Sequence, residues 1–141
     1  VGIPSSSVEE ICNHFGLGHG LTESMVAVAS LIENTGHFAD VSLKPSQITQ
    51  YLEKMPEISL QVAWIALAKQ THAQQNIEQF MTTWRHQRTT INGNHLKQMG
   101  LSPGPQYKVI LETLRFAWLD KEIQTPNEEQ ELLHQLIQDK T

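Results

Sequence analysis

Cysteine is almost absent: Cys12 is the only one in 141 residues. No disulfide can form within the chain, and a reducing compartment, the cytoplasm, is the expected setting. No stretch approaches the roughly 20 apolar residues of a membrane span. The opening residues, VGIPSSSVEE, lack the basic and apolar regions of a signal peptide. Position 1 is Val rather than Met, so we expect a processed or truncated chain. Aspartate is scarce too, with Asp40, Asp120 and Asp139 making up the whole set. There is no Asp-x-Asp pair, no His-Asp pair for a two-metal hydrolase, no Gly-x-Ser-x-Gly, and no Gly-rich loop ending in Lys-Ser or Lys-Thr. The sequence therefore carries none of the common signatures of a self-contained catalytic site. Cys12, His14 and His19 come nearest to a metal cluster, but a fourth ligand and a second paired motif are missing, so we assign no metal to this chain.

Positive charge is missing from residues 1–43, which hold five acids and no Lys or Arg. Residues 44–80 balance. Residues 81–115 carry Arg85, Arg88, Lys97, Lys108 and Arg115 against Glu112 alone, and residues 116–141 are again acidic. The net charge of −5 argues against a polyanionic partner; the local surplus argues for one, because phosphate binding depends on a patch rather than on the total. A chance cluster on a solvated face is the plain alternative.

Apolar periodicity predicts helices throughout. The first covers about 4–15, with Ser5, Ser6 or Ser7 as its N-cap, and ends at the glycines 16, 18 and 20. The second covers 21–34, capped by Thr22, with Met25, Val28, Ala29 and Ile32 inward. Residues 37–43 read as a loop. Pro45-Ser46 opens a third helix and Pro56 a fourth, over 58–69, apolar on most faces and expected to be the buried central helix. A long amphipathic helix is expected over 71–88, with Arg85 and Arg88 at its C-terminal end, where the dipole favours cations. A short helix over 93–99 is closed by Gly100, and a last acidic helix runs over 127–138. No strand pattern or repeat occurs. The fold class is all-α, a compact multi-helix arrangement of about seven or eight helices. Two segments are drawn: 1–43 as a helical segment and 44–141 as a helical tail-type domain.

The stretch INGNHLKQMGLSPGPQYKVILETLRFAWLD, residues 91–120, is the most structured part. A short helix, a Gly stop and a Pro-Gly-Pro corner lead into a helix striped by Tyr107, Ile110, Leu111, Leu114 and Trp118. Pro105 suits the first helical position. Backbone N–H groups of Gly104, Gln106 and Tyr107 are expected to be open to a phosphate, flanked in sequence by Lys97 and Lys108. The arrangement, over 93–120, resembles a helix-hairpin-helix, which grips a nucleic-acid backbone without reading bases. The alternative is a rigid packing corner.

Ile91-Asn92-Gly93-Asn94-His95-Leu96, Met99-Gly100-Leu101-Ser102-Pro103-Gly104-Pro105, Val109-Ile110-Leu111 and Ala117-Trp118-Leu119-Asp120 together resemble the C-terminal signature of bacterial-type (class II) tRNA nucleotidyltransferases, the CCA-adding enzymes and their poly(A) polymerase relatives. Glu128-Glu129 with Leu132-Leu133 fits the segment that closes them. The match covers about 91–137, and 44–90 fit more loosely. Two positions depart from the pattern. His95 stands where Asp is common, which weakens a capping or contact role there. Lys121 stands where Gly is common, which points to a different turn.

The resemblance implies a helical body and tail following a catalytic head and neck that carry the metal-binding carboxylates, with Mg expected there, and that are absent from this chain. It implies tRNA held near its elbow, and no nucleotide addition by these residues alone. The candidate RNA-binding residues are Arg85, Arg88, Lys97, Gly104, Gln106, Tyr107, Lys108 and Arg115. A helical protein-interaction or dimerisation module, with a possible homodimer and negligible RNA binding, is the alternative.

Overall fold

Helix caps and an apolar stripe on each helix account for most of the architecture in the computed structural model, which describes residues 3–38, 40, 42–69 and 71–138. Among these residues there are eight helices of six residues or more, a four-residue helix and a 3-10 turn, with no strand. The protein is all-α. No described helix is long and apolar enough to cross a membrane. The chain forms two units, Val1–Arg85 and His86–Thr141. Within the first unit, Leu31 shares one core with Ile48, Leu52, Leu60 and Ile77.

The first unit contains α1 (Ser5–His14), α2 (His19–Glu33), the short α3 (Thr35–Phe38), α4 (Pro45–Leu52), α5 (Glu57–Ala66) and α6 (Thr71–Thr82). None of the three serines caps α1. Instead, the Ser5 N–H and hydroxyl both donate at 2.9 Å to the Glu33 carboxylate at the far end of α2. A negative charge there also suits the α1 dipole. Gly16, at φ 64°, closes α1, since only Gly takes this conformation without steric cost.

Helix α2 starts at His19, two residues before the predicted start, with Gly18 in the N-cap position. Thr22 is therefore inside the helix. Its hydroxyl donates back to the Gly18 carbonyl at 3.3 Å and caps nothing. Ser59 ties α5 to α2 by donating to the Ser24 carbonyl at 3.0 Å.

Helix α5 is not buried all round. Ser59, Leu60, Ala63 and the following Leu67 face the core, whereas Ile58 and Ile65 are 52% and 67% exposed. Helix α6 is also shorter than its stripe implies. Ile77 and Phe80 are buried as expected, but the helix ends at Thr82 and a 3-10 turn, Trp84–His86, follows.

The second unit contains α7 (Gly93–Gln98), α8 (Pro105–Leu119) and α9 (Pro126–Gln138). Ile91, Leu96, Ile110, Leu114 and Leu133 are its buried core, with Tyr107, Leu111, Leu132 and Leu136 packed around them. Asn92 caps α7: its side-chain oxygen accepts from the N–H groups of Asn94 (2.9 Å) and His95 (3.3 Å). His95 completes the box by accepting the Asn92 N–H on Nδ1 at 3.1 Å. His95 thus does cap, contrary to the expectation from its departure from Asp. An imidazole nitrogen supplies the acceptor that a carboxylate would.

Helix α8 ends in a Schellman motif. Lys121 N–H donates to the Trp118 carbonyl at 3.2 Å and Glu122 N–H to that of Ala117 at 2.9 Å. Lys121 itself sits at φ 58°. The turn expected to differ here keeps the left-handed backbone that a Gly would take, at a cost of roughly 1–2 kcal/mol for a residue with a Cβ.

Candidate nucleic-acid interface

The Pro-Gly-Pro corner is built by two locks. Gly100, at φ 84°, closes α7, with its N–H on the Lys97 carbonyl (3.0 Å) and the Leu101 N–H on that of Leu96 (3.2 Å). Tyr107 then bolts α8 to the turn. Its hydroxyl donates to the Leu101 carbonyl at 2.7 Å, and its ring lies where a side chain at Gly93 would begin, 3.5 Å from that position. Gln106 adds a side-chain bond to the Ser102 carbonyl at 2.9 Å. Gly104 is extended, at φ 178°, with space around its Cα, so the corner does not require glycine there.

The three N–H groups read as open are not equivalent. The Tyr107 N–H donates to the Gly104 carbonyl at 3.0 Å and is taken. Those of Gly104 and Gln106 have no acceptor among the described residues. Tyr107 is thus a structural residue of the corner, and the start of α8 presents two donors.

Three of the five candidate cations come together. Arg88, Lys108 and Arg115 line one shallow cleft of about 370 Å³ with Thr89, Leu111 and Glu112. Lys108 and Arg115 are two turns apart on one face of α8. Arg88 comes from the irregular segment before α7, beyond the end of the helix predicted to carry it.

Both arginines turn to the same atom. Arg88 Nη1 donates to the Gln87 carbonyl at 3.1 Å and Arg115 Nε donates to it at 3.0 Å. Two positive groups within roughly 6 Å of each other repel by about 0.7–3 kcal/mol, for an effective dielectric between water and a protein surface. Within the cleft the negative group is Glu112, whose carboxylate is 3.9 Å from Lys108 Nζ, with both side chains well exposed. That pair contributes little to stability.

The other two cations lie elsewhere. Lys97 is exposed on the last turn of α7 and is not part of the cleft lining. Arg85 belongs to the first unit, where Nη1 meets the Glu57 carboxylate at 2.7 Å. That ion pair, and not a helix dipole, is what its position satisfies.

Next in sequence to the cleft-lining Thr89 is a contact that sequence reasoning missed. Glu129 of α9 is fully buried, and its carboxylate accepts the Thr90 N–H (3.1 and 3.2 Å) and the Thr90 hydroxyl. It pins the segment that carries Gln87 and Arg88. The signal was present: Glu129 shares the α9 face of Leu132, Leu133 and Leu136, three, four and seven residues on. Its neighbour Glu128 points outward and caps α9, accepting the N–H groups of Gln124 (2.6 Å) and Thr125 (3.0 Å). These two backbone hydrogen bonds hold its carboxyl below the usual carboxylate range.

Comparison with known protein families, with curated proteins and with solved structures finds no match to this chain. Among the described residues, no group of three or more His, Cys, Asp or Glu side chains is placed to hold a metal ion. The second unit presents a cleft lined by Arg88, Lys108 and Arg115 and two backbone donors at the start of α8.

Proposed function

We propose that the chain is the RNA-gripping helical part of a tRNA nucleotidyltransferase of the CCA-adding and poly(A) polymerase kind, acting in the cytoplasm. In this reading it holds tRNA by its phosphate backbone near the elbow, and a head and neck elsewhere in the parent chain add the nucleotides. Metal dependence, with Mg expected, belongs to that head. The observation that carries the reading is the cleft of Arg88, Lys108 and Arg115, which draws three cations from two separate stretches onto one face of a net-acidic chain. The resemblance of residues 91–137 supplies tRNA as the RNA. Phosphate contacts of this kind fix position and carry no base preference, which suits a task in which sequence specificity is secondary.

Fluorescence titration of tRNA over a salt series tests the proposal. Binding is expected to weaken steeply with salt, and Lys97→Ala with Lys108→Ala is expected to flatten the dependence. Absence of binding at low salt overturns it.

A second reading, self-association with negligible RNA binding, draws on an apolar groove of about 320 Å³ in the first unit, lined by Leu21, Met25, Val28, Ile32, Ile58 and Val62. Sedimentation with and without tRNA separates the two. A stable dimer that ignores tRNA favours the second.

A further inference from the structure

We propose that a pocket of about 550 Å³ in the second unit, between residues 90–91, α7 and α9, holds a single unpaired base of the bound RNA. The inference deepens the RNA-gripping reading and rests on it for the source of the base.

The lining sets the class of ligand. Among the described residues it contains no Asp, Glu, Lys or Arg, so nothing in it compensates the charge of a phosphate, a carboxylate or an ammonium group. The volume is in the range of pockets that enclose small molecules. Ile91 and Leu133, both buried in the core, supply its apolar surface together with the partly exposed Met99. The other lining residues, Thr90, His95, Gln98, Gln130 and His134, are polar and exposed. A ligand for this pocket therefore has apolar faces, a hydrogen-bonding edge and no charge. An unstacked nucleobase has all three, and the bases of single-stranded RNA are read on such edges.

Two of the polar groups have their hydrogen-bonding sense fixed by the fold. His95 Nδ1 accepts the Asn92 N–H at 3.1 Å, so the neutral ring carries its proton on Nε2 and presents a donor. The Thr90 hydroxyl spends its proton on the buried Glu129 carboxylate and keeps only acceptor capacity. The Watson–Crick edge of every base carries both a donor and an acceptor, and so can meet such a pair. Gln98 and Gln130 can turn either way, since each amide has both senses and neither side chain hydrogen-bonds to another described residue. The pocket thus separates base from no base rather than one base from another, which agrees with a grip in which sequence is secondary.

The placement also fits a nucleotide. Thr89 lines the cleft that Lys108 lines, and the next two residues, Thr90 and Ile91, line this pocket. One short segment, pinned to Glu129 through the Thr90 N–H, borders both, as the phosphate and the base of one strand require.

The test is a titration of the full chain with adenosine, followed by backbone amide shifts and the side-chain amide shifts of Gln98 and Gln130, with ribose 5-phosphate as the control that lacks a base. Saturable shifts confined to residues 90–99 and 130–134 are expected at roughly 0.1–10 mM, the range for a ligand of this size. Raising the salt should leave adenosine affinity unchanged, because no phosphate is neutralised. Gln98→Ala and Gln130→Ala change exposed positions, should keep the amide dispersion of the second unit, and should each weaken adenosine by about three- to tenfold. Added tRNA should displace adenosine.

No saturation by adenosine, the same shifts with ribose 5-phosphate, or undiminished affinity in the Gln98→Ala, Gln130→Ala double variant overturns the pocket. If tRNA binds the chain and leaves adenosine in place, the RNA reading stands and this inference fails. If adenosine saturates the pocket and tRNA does not bind at low salt, the RNA reading fails, and with it the assignment of the base to RNA.

Discussion

Glu129 and Thr90 are joined twice, through the backbone N–H and the hydroxyl of Thr90, by a carboxylate with no exposure to solvent. A buried acid is normally costly, and this one is accommodated because two donors meet it. Removing the Thr90 hydroxyl leaves the buried carboxylate with one donor fewer, whereas removing the carboxylate deprives an exposed Thr90 of its acceptor. Glu129→Ala is expected to destabilise the second unit by about 2–4 kcal/mol, and Thr90→Val by about 1–3 kcal/mol. Urea unfolding of both variants and of the double variant checks this. The double variant should cost clearly less than the two single losses added together, because the pair acts as one contact.

Lys121 gives the opposite sign. Its φ of 58° is costly for any residue with a Cβ, and the α8 Schellman motif imposes it. Lys121→Gly should raise stability by about 1 kcal/mol, and Lys121→Val should lower it, Val being the worse fit to a left-handed backbone. Thermal melting of the two variants reads the difference. No gain in the glycine variant would mean that the Lys121 side chain compensates elsewhere.

The cap of α7 predicts a modest effect. Asn92→Ala removes the acceptor for two N–H groups and should cost about 1 kcal/mol. His95→Asp should be tolerated, because a carboxylate at this position can accept the Asn92 N–H in place of Nδ1. Denaturation midpoints of both variants test the box.

Acid should weaken the cap of α9. Glu128 accepts two backbone N–H groups, which lowers its folded pKa below 4.5. A folded value below the unfolded one means stability that is fully present above about 4.5 and lost as pH falls through the lower folded value. In melting curves taken between pH 6 and pH 3, Glu128→Gln should start less stable than the parent chain and lose less on acidification, so the two converge in acid. Parallel curves would remove Glu128 from the account.

The fold was largely legible because α4, α8 and α9 announce both ends: proline at the first turn and an apolar stripe at helical spacing. The misjudged ends have local causes. Trp84 continues the stripe of Ile77, Phe80 and Met81, and a 3-10 turn keeps residues three apart on one side, so periodicity alone overran Thr82. Gly18 and Gly20 read as breakers, yet packing of α2 against α1 and α5 outweighs the roughly 1 kcal/mol cost of a glycine within a helix. Helix α5 is apolar on too many sides for spacing to show which side is covered.

The site divides the same way. Lys108, Glu112 and Arg115 share a face at intervals of four and three, visible in sequence. That Arg88 joins them depends on the path of residues 87–91, which is set by the tertiary contact between Thr90 and Glu129. The spent N–H of Tyr107 likewise depends on the tight first turn of α8, which no composition rule reveals.

The central claim is that the second unit grips RNA by phosphate through this cleft. Its most direct test is the salt dependence of tRNA binding by the full chain and by Arg88→Gln, Lys108→Gln and Arg115→Gln, singly and combined. Each substitution should reduce the slope of log K against log salt by about 0.7–0.9, and the triple variant by about 2–3, with little dependence on tRNA sequence. A parent chain that does not bind tRNA, or a triple variant with unchanged slope, contradicts the account.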